Sequence, residues 1–276
     1  MNKTPNTRSM IFTIYGDYIR HYGDGIWIGS LIKLLQAFGH NDQSVRAAIS
    51  RMNKQGWVQS NRVGNKSYYS LTSQGKDRME EASKRIYKEE PKPWSGNWWI
   101  LFYSIPEEKR HLRDKLREEL IWSGFGPLSN SCWITPNDLA KETKLLIEKY
   151  GIKDYITIFK AEHLGMNSNS DLVEKCWDLE DINNRYETFI KHYSQKYIID
   201  KSKIETNKMT DDECFVEKTL LVHEFRKFLF VDPGLPDELL PEKWLGDSAT
   251  KLFQDYNKIL SEPSKRFFES IYEFEK

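Results

Sequence analysis

Cysteine is scarce in this chain: Cys132, Cys176 and Cys214 are odd in number and widely spaced. They suit a reducing compartment and form no CxxC pair for zinc or thiol redox chemistry. Long hydrophobic runs are missing too. Wholly apolar stretches such as Trp98 to Tyr103 fall far short of the ~20 residues a membrane span needs. Met10 to Tyr15 is too short for a signal-peptide core before Gly16 and Asp17 interrupt it. The chain contains no GxSxG elbow, no phosphate-binding Walker loop and no GxGxxG fingerprint. His223-Glu224 opens like a zincin helix motif, but position 227 is Lys where the second His is required. These absences give catalysis no positive support and name no catalytic residue, metal site or cofactor. They point to a cytoplasmic protein without a membrane partner.

Net charge is also lacking, with 41 basic residues balanced by 41 acidic ones, yet the balance hides a division. Residues 1 to 88 hold 14 Lys or Arg against 6 Asp or Glu, and the remainder holds 27 against 35. A basic N-terminal module joined to an acidic body suggests that only one end meets nucleic acid.

That end has the pattern to do so. The segment N-D-Q-S-V-R-A-A-I-S-R-M-N-K-Q-G begins at Asn41, and either Asn41 or Asp42 suits a helix cap. Val45, Ala48, Ile49 and Met52 fall at i, i+3, i+4 and i+7, the spacing of a buried stripe. At about 100° per residue the opposite face collects Gln43, Ala47, Ser50 and Lys54, with Arg46 and Arg51 on its flanks. Small residues at 47 and 50 allow close approach to a surface, and the longer side chains reach base edges or phosphates. Gly56 ends the helix. Trp57 to Arg62 and Ser67 to Thr72 then read as two strands joined by Val-Gly-Asn-Lys, the wing of a winged helix, with Arg62, Asn65 and Lys66 near its tip. Gln43, Ser50 and Lys54 are the candidates for base-edge contact, with Ser44 and Ala47 beside them. Arg46, Arg51, Arg62 and Lys66 suit phosphates, and Asn65 completes the candidate DNA-binding set.

Around that pair the pattern gives three units: a winged helix-turn-helix domain over 7-88, a central domain over 97-165 and a helical domain over 170-276. A helix from Ser9 to about His21 and a strand and helix within Gly25 to Phe38 build the first, with a connecting helix from Gln74 to Tyr87. Glu89-Glu90-Pro91-Lys92-Pro93 reads as the linker. Trp98 to Ile105 is apolar on both pleat faces and reads as a buried strand. A helix from Pro106 to Ser123 keeps Leu112, Leu116, Leu120 and Ile121 on one side. Strands near Gly126 to Leu128 and Ser131 to Thr135, a helix capped by Asn137 and running to Tyr150, and a strand from Tyr155 to Glu162 complete the order βαββαβ. That is the order of a ferredoxin-like sandwich. Since its two helices cover one sheet face, a first strand apolar on both implies another subunit or domain on the other. Beyond Ser170 the chain reads as helices at 170-198, 211-230 and 248-274, broken at Val231-Asp232-Pro233-Gly234-Leu235-Pro236. The fold class expected is therefore multidomain α+β. His223 and Arg226 are polar residues inside an apolar helical pattern, which places them at the surface, in a paired core site or against a ligand.

Four segments resemble the PaaX family of bacterial repressors: S-M-I-F-T-I-Y-G-D-Y-I at 9-19, R-V-G-N-K-S-Y-Y-S-L-T at 62-72, C-W-D-L at 176-179, and H-E-F-R-K-F-L-F-V-D-P-G-L-P-D-E-L-L-P at 223-241. The last is long and distinctive, and the likeness extends over almost the whole chain. The resemblance implies a winged helix, a central domain similar to Cas2 and a helical C-terminal domain. It also implies a homodimer that represses phenylacetate catabolism and leaves its operator when phenylacetyl-CoA or a related acyl-CoA binds. Arg226 and His223 are then candidates for the effector end, an Arg being able to pair with CoA phosphates. Two other readings stay open: a metal-dependent nuclease on the Cas2-like scaffold and a DNA-binding regulator without a small-molecule effector. The nuclease would want carboxylates at the end of the first central strand, where this chain has Ser104.

Overall fold

The computed structural model describes residues 5-23, 25-87 and 93-273; of the expected linker, only Pro93 falls among them. The chain divides into two compact units. One comprises residues 1-88, 188-226 and 247-276, and the other residues 89-187 and 227-246.

In the first unit, α1 (Thr7–Asp17) is capped by Asn6 and followed by a 3-10 turn, Ile19–Tyr22. Next come β1 (Gly25–Trp27), α2 (Ile28–Gln36), α3 (Asp42–Lys54), β2 (Val58–Val63), β3 (Lys66–Leu71) and α4 (Ser73–Ile86). The three strands form an antiparallel sheet in the order β1-β3-β2. The aliphatic stripes of α1, α2 and α3 meet in one core, in which Ile11, Ile14, Leu31, Leu34, Val45 and Met52 are wholly buried. Two helices distant in sequence complete that core: α9 (Asp211–Phe225) contributes Phe215, and α10 (Gly246–Ile271) contributes Phe268. Each fully buried phenylalanine contributes about 2 to 3 kcal/mol of transfer free energy. The N-terminal elements and these helices are therefore held by shared apolar burial.

The second unit holds a four-stranded antiparallel sheet in the order β5-β6-β4-β7, made of β4 (Asn97–Tyr103), β5 (Gly126–Ser129), β6 (Cys132–Thr135) and β7 (Ile156–Glu162). Two helices, α5 (Arg110–Trp122) and α6 (Ala140–Tyr150), connect the strands. Leu101, Tyr103, Leu116, Leu120 and Trp133 share a core. The opposite sheet face is covered from within the chain: Trp98 and Ile134 pack with Val173 and Cys176 of α7 (Asn169–Cys176) and with Leu235 and Leu239. The cover is incomplete. Phe102 and Phe159 remain 42% and 52% exposed, so β4 is not buried along its length as its composition suggests.

Three further expectations are corrected. Ile121 is exposed, because the stripe of α5 follows Leu112, Leu116 and Leu120, and the next residue lies about 100° around the helix from Leu120. Asn137 does not cap α6, which begins after Leu139; its Nδ2 donates instead to the carbonyl of Gly234 at 2.9 Å. The helix drawn over 170-198 is two helices, α7 and α8 (Leu179–Glu205). Between them Trp177 is extended and its ring packs against Trp98, filling the space that Gly126 leaves by lacking a side chain. Asp178 then accepts from the Asp181 amide at 2.9 Å, which starts α8. After α9 the chain tightens into a 3-10 turn at Arg226–Phe230, and the Pro-Gly loop that follows is fixed by Asp232, which accepts from Tyr186 Oη and from the Gly234 amide.

Candidate nucleic-acid interface

Local chemistry sets both ends of α3. Asn41 is extended and its Oδ1 accepts from the Ser44 amide at 2.8 Å, while the Ser44 hydroxyl donates to the Asn41 carbonyl. This spends Ser44 on the cap and leaves it half-buried. At the other end Gly56 takes φ 75°, and the Trp57 amide donates to the Met52 carbonyl at 3.0 Å, a glycine-dependent stop. Val45, Ala48, Ile49 and Met52 are buried, so the stripe is seated in the core. Gln43, Arg46, Ala47, Ser50, Arg51 and Lys54 are consequently all exposed on the outer surface of one helix.

Thr72 fastens the hairpin to this helix. Its hydroxyl donates to the Gly56 carbonyl at 2.6 Å and accepts from the Gly75 amide at 3.2 Å, so one side chain joins the end of α3, the end of β3 and the start of α4. Tyr15, buried in the core, donates to the Tyr69 carbonyl at 2.8 Å and holds β3 against α1. The turn itself consists of Gly64, at φ 61°, and Asn65, between the paired residues Val63 and Lys66. A two-residue turn of this kind favours glycine where φ is positive. From Gln59 to Asn65 the hairpin is exposed, and Arg62 Nε donates to the Gly64 carbonyl at 3.3 Å.

The candidate residues are not equally free. Arg51, Lys54, Arg62 and Asn65 are exposed. Arg46 is turned along its own helix by Asp42, to which its Nη2 donates at 3.3 Å. Lys66 is paired with Glu273, just beyond α10, and this pairing raises the pKa of the lysine and lowers that of the carboxylate. Asn53 is an addition: it is exposed and its Nδ2 lies 3.5 Å from Ser60 Oγ on β2, next to the candidate face. Its signal was present in the sequence, three residues after Ser50 and seven after Arg46.

His223 and Arg226 lie elsewhere in the same unit. His223 is buried with Nδ1 2.9 Å from Thr13 Oγ1, and Arg226 donates from Nη2 to the Ser9 carbonyl at 2.9 Å. Burial lowers the Arg226 pKa to about 10, and its Nε is buried without a hydrogen-bond partner among the described residues. Both side chains thus tie α9 and the following turn to α1. A cavity of about 520 Å³ in this unit is lined by other groups, among them Asp17, Arg20, Tyr87, Lys218 and Lys265. Within it Lys218 pairs with Asp17, which also accepts from Tyr87 Oη at 2.8 Å. Among the described residues no group of three or more His, Cys, Asp or Glu is placed to hold a metal ion, and no helix is long and apolar enough to cross a membrane.

Comparison with known proteins gives three matching family profiles in chain order. "PaaX-like protein" matches residues 6-75, "PaaX protein central Cas2-like domain" residues 91-173, and "PaaX-like protein C-terminal domain" residues 177-270. The chain belongs to the PaaX family. It is 36% identical over 247 residues to the transcriptional repressor PaaX of Escherichia coli strain K12, a match covering 88% of this chain and 77% of that protein. Among solved structures it resembles the uncharacterized protein Rv0674 from Mycobacterium tuberculosis, with a TM-score of 0.55 at 22% identity, across 96% of this chain and 99% of the other. This second likeness concerns the fold alone. PaaX membership agrees with the sequence resemblance and accounts for the mixed helix-and-sheet architecture with its Cas2-like central domain.

Proposed function

We propose that this PaaX-family chain is a DNA-binding transcriptional repressor of a phenylacetate-type catabolic operon, released from its operator by an aryl-CoA thioester such as phenylacetyl-CoA. The observation that carries the DNA-binding part is α3 itself: its apolar stripe is buried while Gln43, Ala47, Ser50, Arg51 and Lys54 share the exposed surface beside an exposed hairpin. In this reading α2 and α3 with the hairpin form a winged helix-turn-helix, and α3 enters the major groove. The central βαββαβ unit is a ferredoxin-like dimerisation domain, with Phe102 and Phe159 offering exposed apolar surface to a second copy.

The repressor title of the Escherichia coli relative supports the regulatory role. A ligand releases DNA only if it binds the DNA-incompetent arrangement more tightly. Dimeric readers of this class match half-sites about 34 to 36 Å apart, so a small change of spacing suffices. His223 and Arg226 are proposed at the effector end because they grip α1, which is part of the core under α3. A ligand that drew either side chain away from Thr13 or Ser9 would loosen that seat. Fluorescence anisotropy on operator DNA tests the proposal: saturating phenylacetyl-CoA is expected to release the protein, and unchanged binding would overturn the effector assignment.

A further inference from the structure

The chain's C-terminal segment reaches the hairpin beside its turn, at Lys66 and Tyr68. Tyr272 Oη donates to the carbonyls of Tyr22 and Gly25 at 2.6 and 2.7 Å, and Ser30 Oγ donates to the Ile271 carbonyl at 2.6 Å. The Trp27 amide donates to the Glu273 carbonyl at 3.3 Å. Backbone and ring contacts therefore fix the position from which the Glu273 side chain departs. Its Oε1 receives the Lys66 ammonium and also Tyr68 Oη, at 3.4 Å. The same ammonium sits 4.7 Å from the Trp27 ring centroid.

Two donors converging on one anionic oxygen, over an aromatic face and next to the hairpin turn, make an arrangement that a non-bridging phosphate oxygen also satisfies. We propose that Lys66, Tyr68 and Trp27 form a DNA-phosphate site beside the turn of the hairpin, and that the Glu273 carboxylate occupies it as an intramolecular stand-in which phosphate displaces. This rests on the DNA-interface reading given above.

Exposure separates this pair from a structural one. The side chains of Lys66 and Glu273 are 37% and 38% exposed, whereas those of Lys218 and Asp17 are 7% and 5%. An ion pair open to water opens at little cost, while a buried one does not. The stand-in therefore tunes affinity without blocking binding, and it makes the end of α10 sensitive to whether DNA is present.

The test is a two-by-two set of full-length variants, Glu273→Gln, Lys66→Met and both together, titrated by anisotropy against a labelled mixed-sequence duplex at low salt. Arg51→Ala is measured alongside. Glu273→Gln is expected to tighten binding roughly twofold to fivefold in the native background, and to change nothing once Lys66 is Met. A gain that persists with Lys66→Met is a general effect of removing an acid and overturns the proposal. So does the absence of any gain. If Arg51→Ala weakens binding while Glu273→Gln does nothing, the stand-in role alone fails; if neither matters, the DNA-interface reading fails with it.

Discussion

Replacing Lys218 by Met tests whether α9 and α1 are one cooperative body. Lys218 on α9 pairs with Asp17 at the end of α1, and the two side chains are 7% and 5% exposed. The ammonium also lies 4.5 Å from the Tyr18 ring centroid. Methionine keeps most of the apolar contact but leaves a buried carboxylate with Tyr87 Oη as its remaining named donor, at 2.8 Å. Breaking a buried pair from one side costs about 3 to 5 kcal/mol. Because both residues line the cavity, solvent there moves the expectation toward the lower end, about 3 kcal/mol. Urea denaturation followed by circular dichroism measures it. Asp17→Asn combined with Lys218→Met removes both charges and is expected to recover most of the loss. A single-variant loss under about 1 kcal/mol, or a double variant as unstable as the two singles summed, would refute the coupling.

Arg51→Ala is expected to weaken binding to all DNA sequences and to reduce the magnitude of the salt slope by about one, read from anisotropy titrations over a salt series. Gly75→Ala would place a methyl 2.4 Å from the Trp57 carbonyl oxygen, and should cost about 1 to 3 kcal/mol by thermal or urea unfolding. Burial lowers the pKa of His40, which sits beside the α3 cap with Nδ1 3.1 Å from Thr7 Oγ1. The unfolded chain therefore takes up the proton first, and stability is expected to fall as pH drops below about 6.5 and on through the lower folded-state pKa. A melting temperature that rises over that interval would contradict it. Burial also pushes the Cys176 and Cys214 thiols up to about 11, so a thiol reagent near pH 8 should leave both unmodified until denaturant is added.

What could be read from the sequence was what is decided locally. Asn41 as a cap, the stripe from Val45 to Met52 and the two hairpin strands all lie within about thirty consecutive residues, and each rests on periodicity or turn chemistry. The failures came where distant groups decide. Asn137 has the composition of a cap but is taken by Gly234, and Phe102 has the composition of core but meets nothing among the described residues that covers it fully. Phe215 and Phe268 complete the core that supports α3 from more than 150 residues away, a relation no local window contains. Lys66 was legible as a phosphate contact, whereas its pairing with Glu273 was not. Charge patterns show which residues can meet an anion; the fold determines which anion is nearest.

In the proposed function, the exposed surface of α3 is what reads DNA. Ala47→Glu together with Ser50→Glu tests it most directly, because both positions are exposed and changes there leave folding within about 0.5 kcal/mol. This double variant is expected to keep its unfolding midpoint and to lose at least about tenfold in DNA affinity by anisotropy, since two carboxylates would face phosphates and base edges. Native affinity in a folded double variant would contradict it.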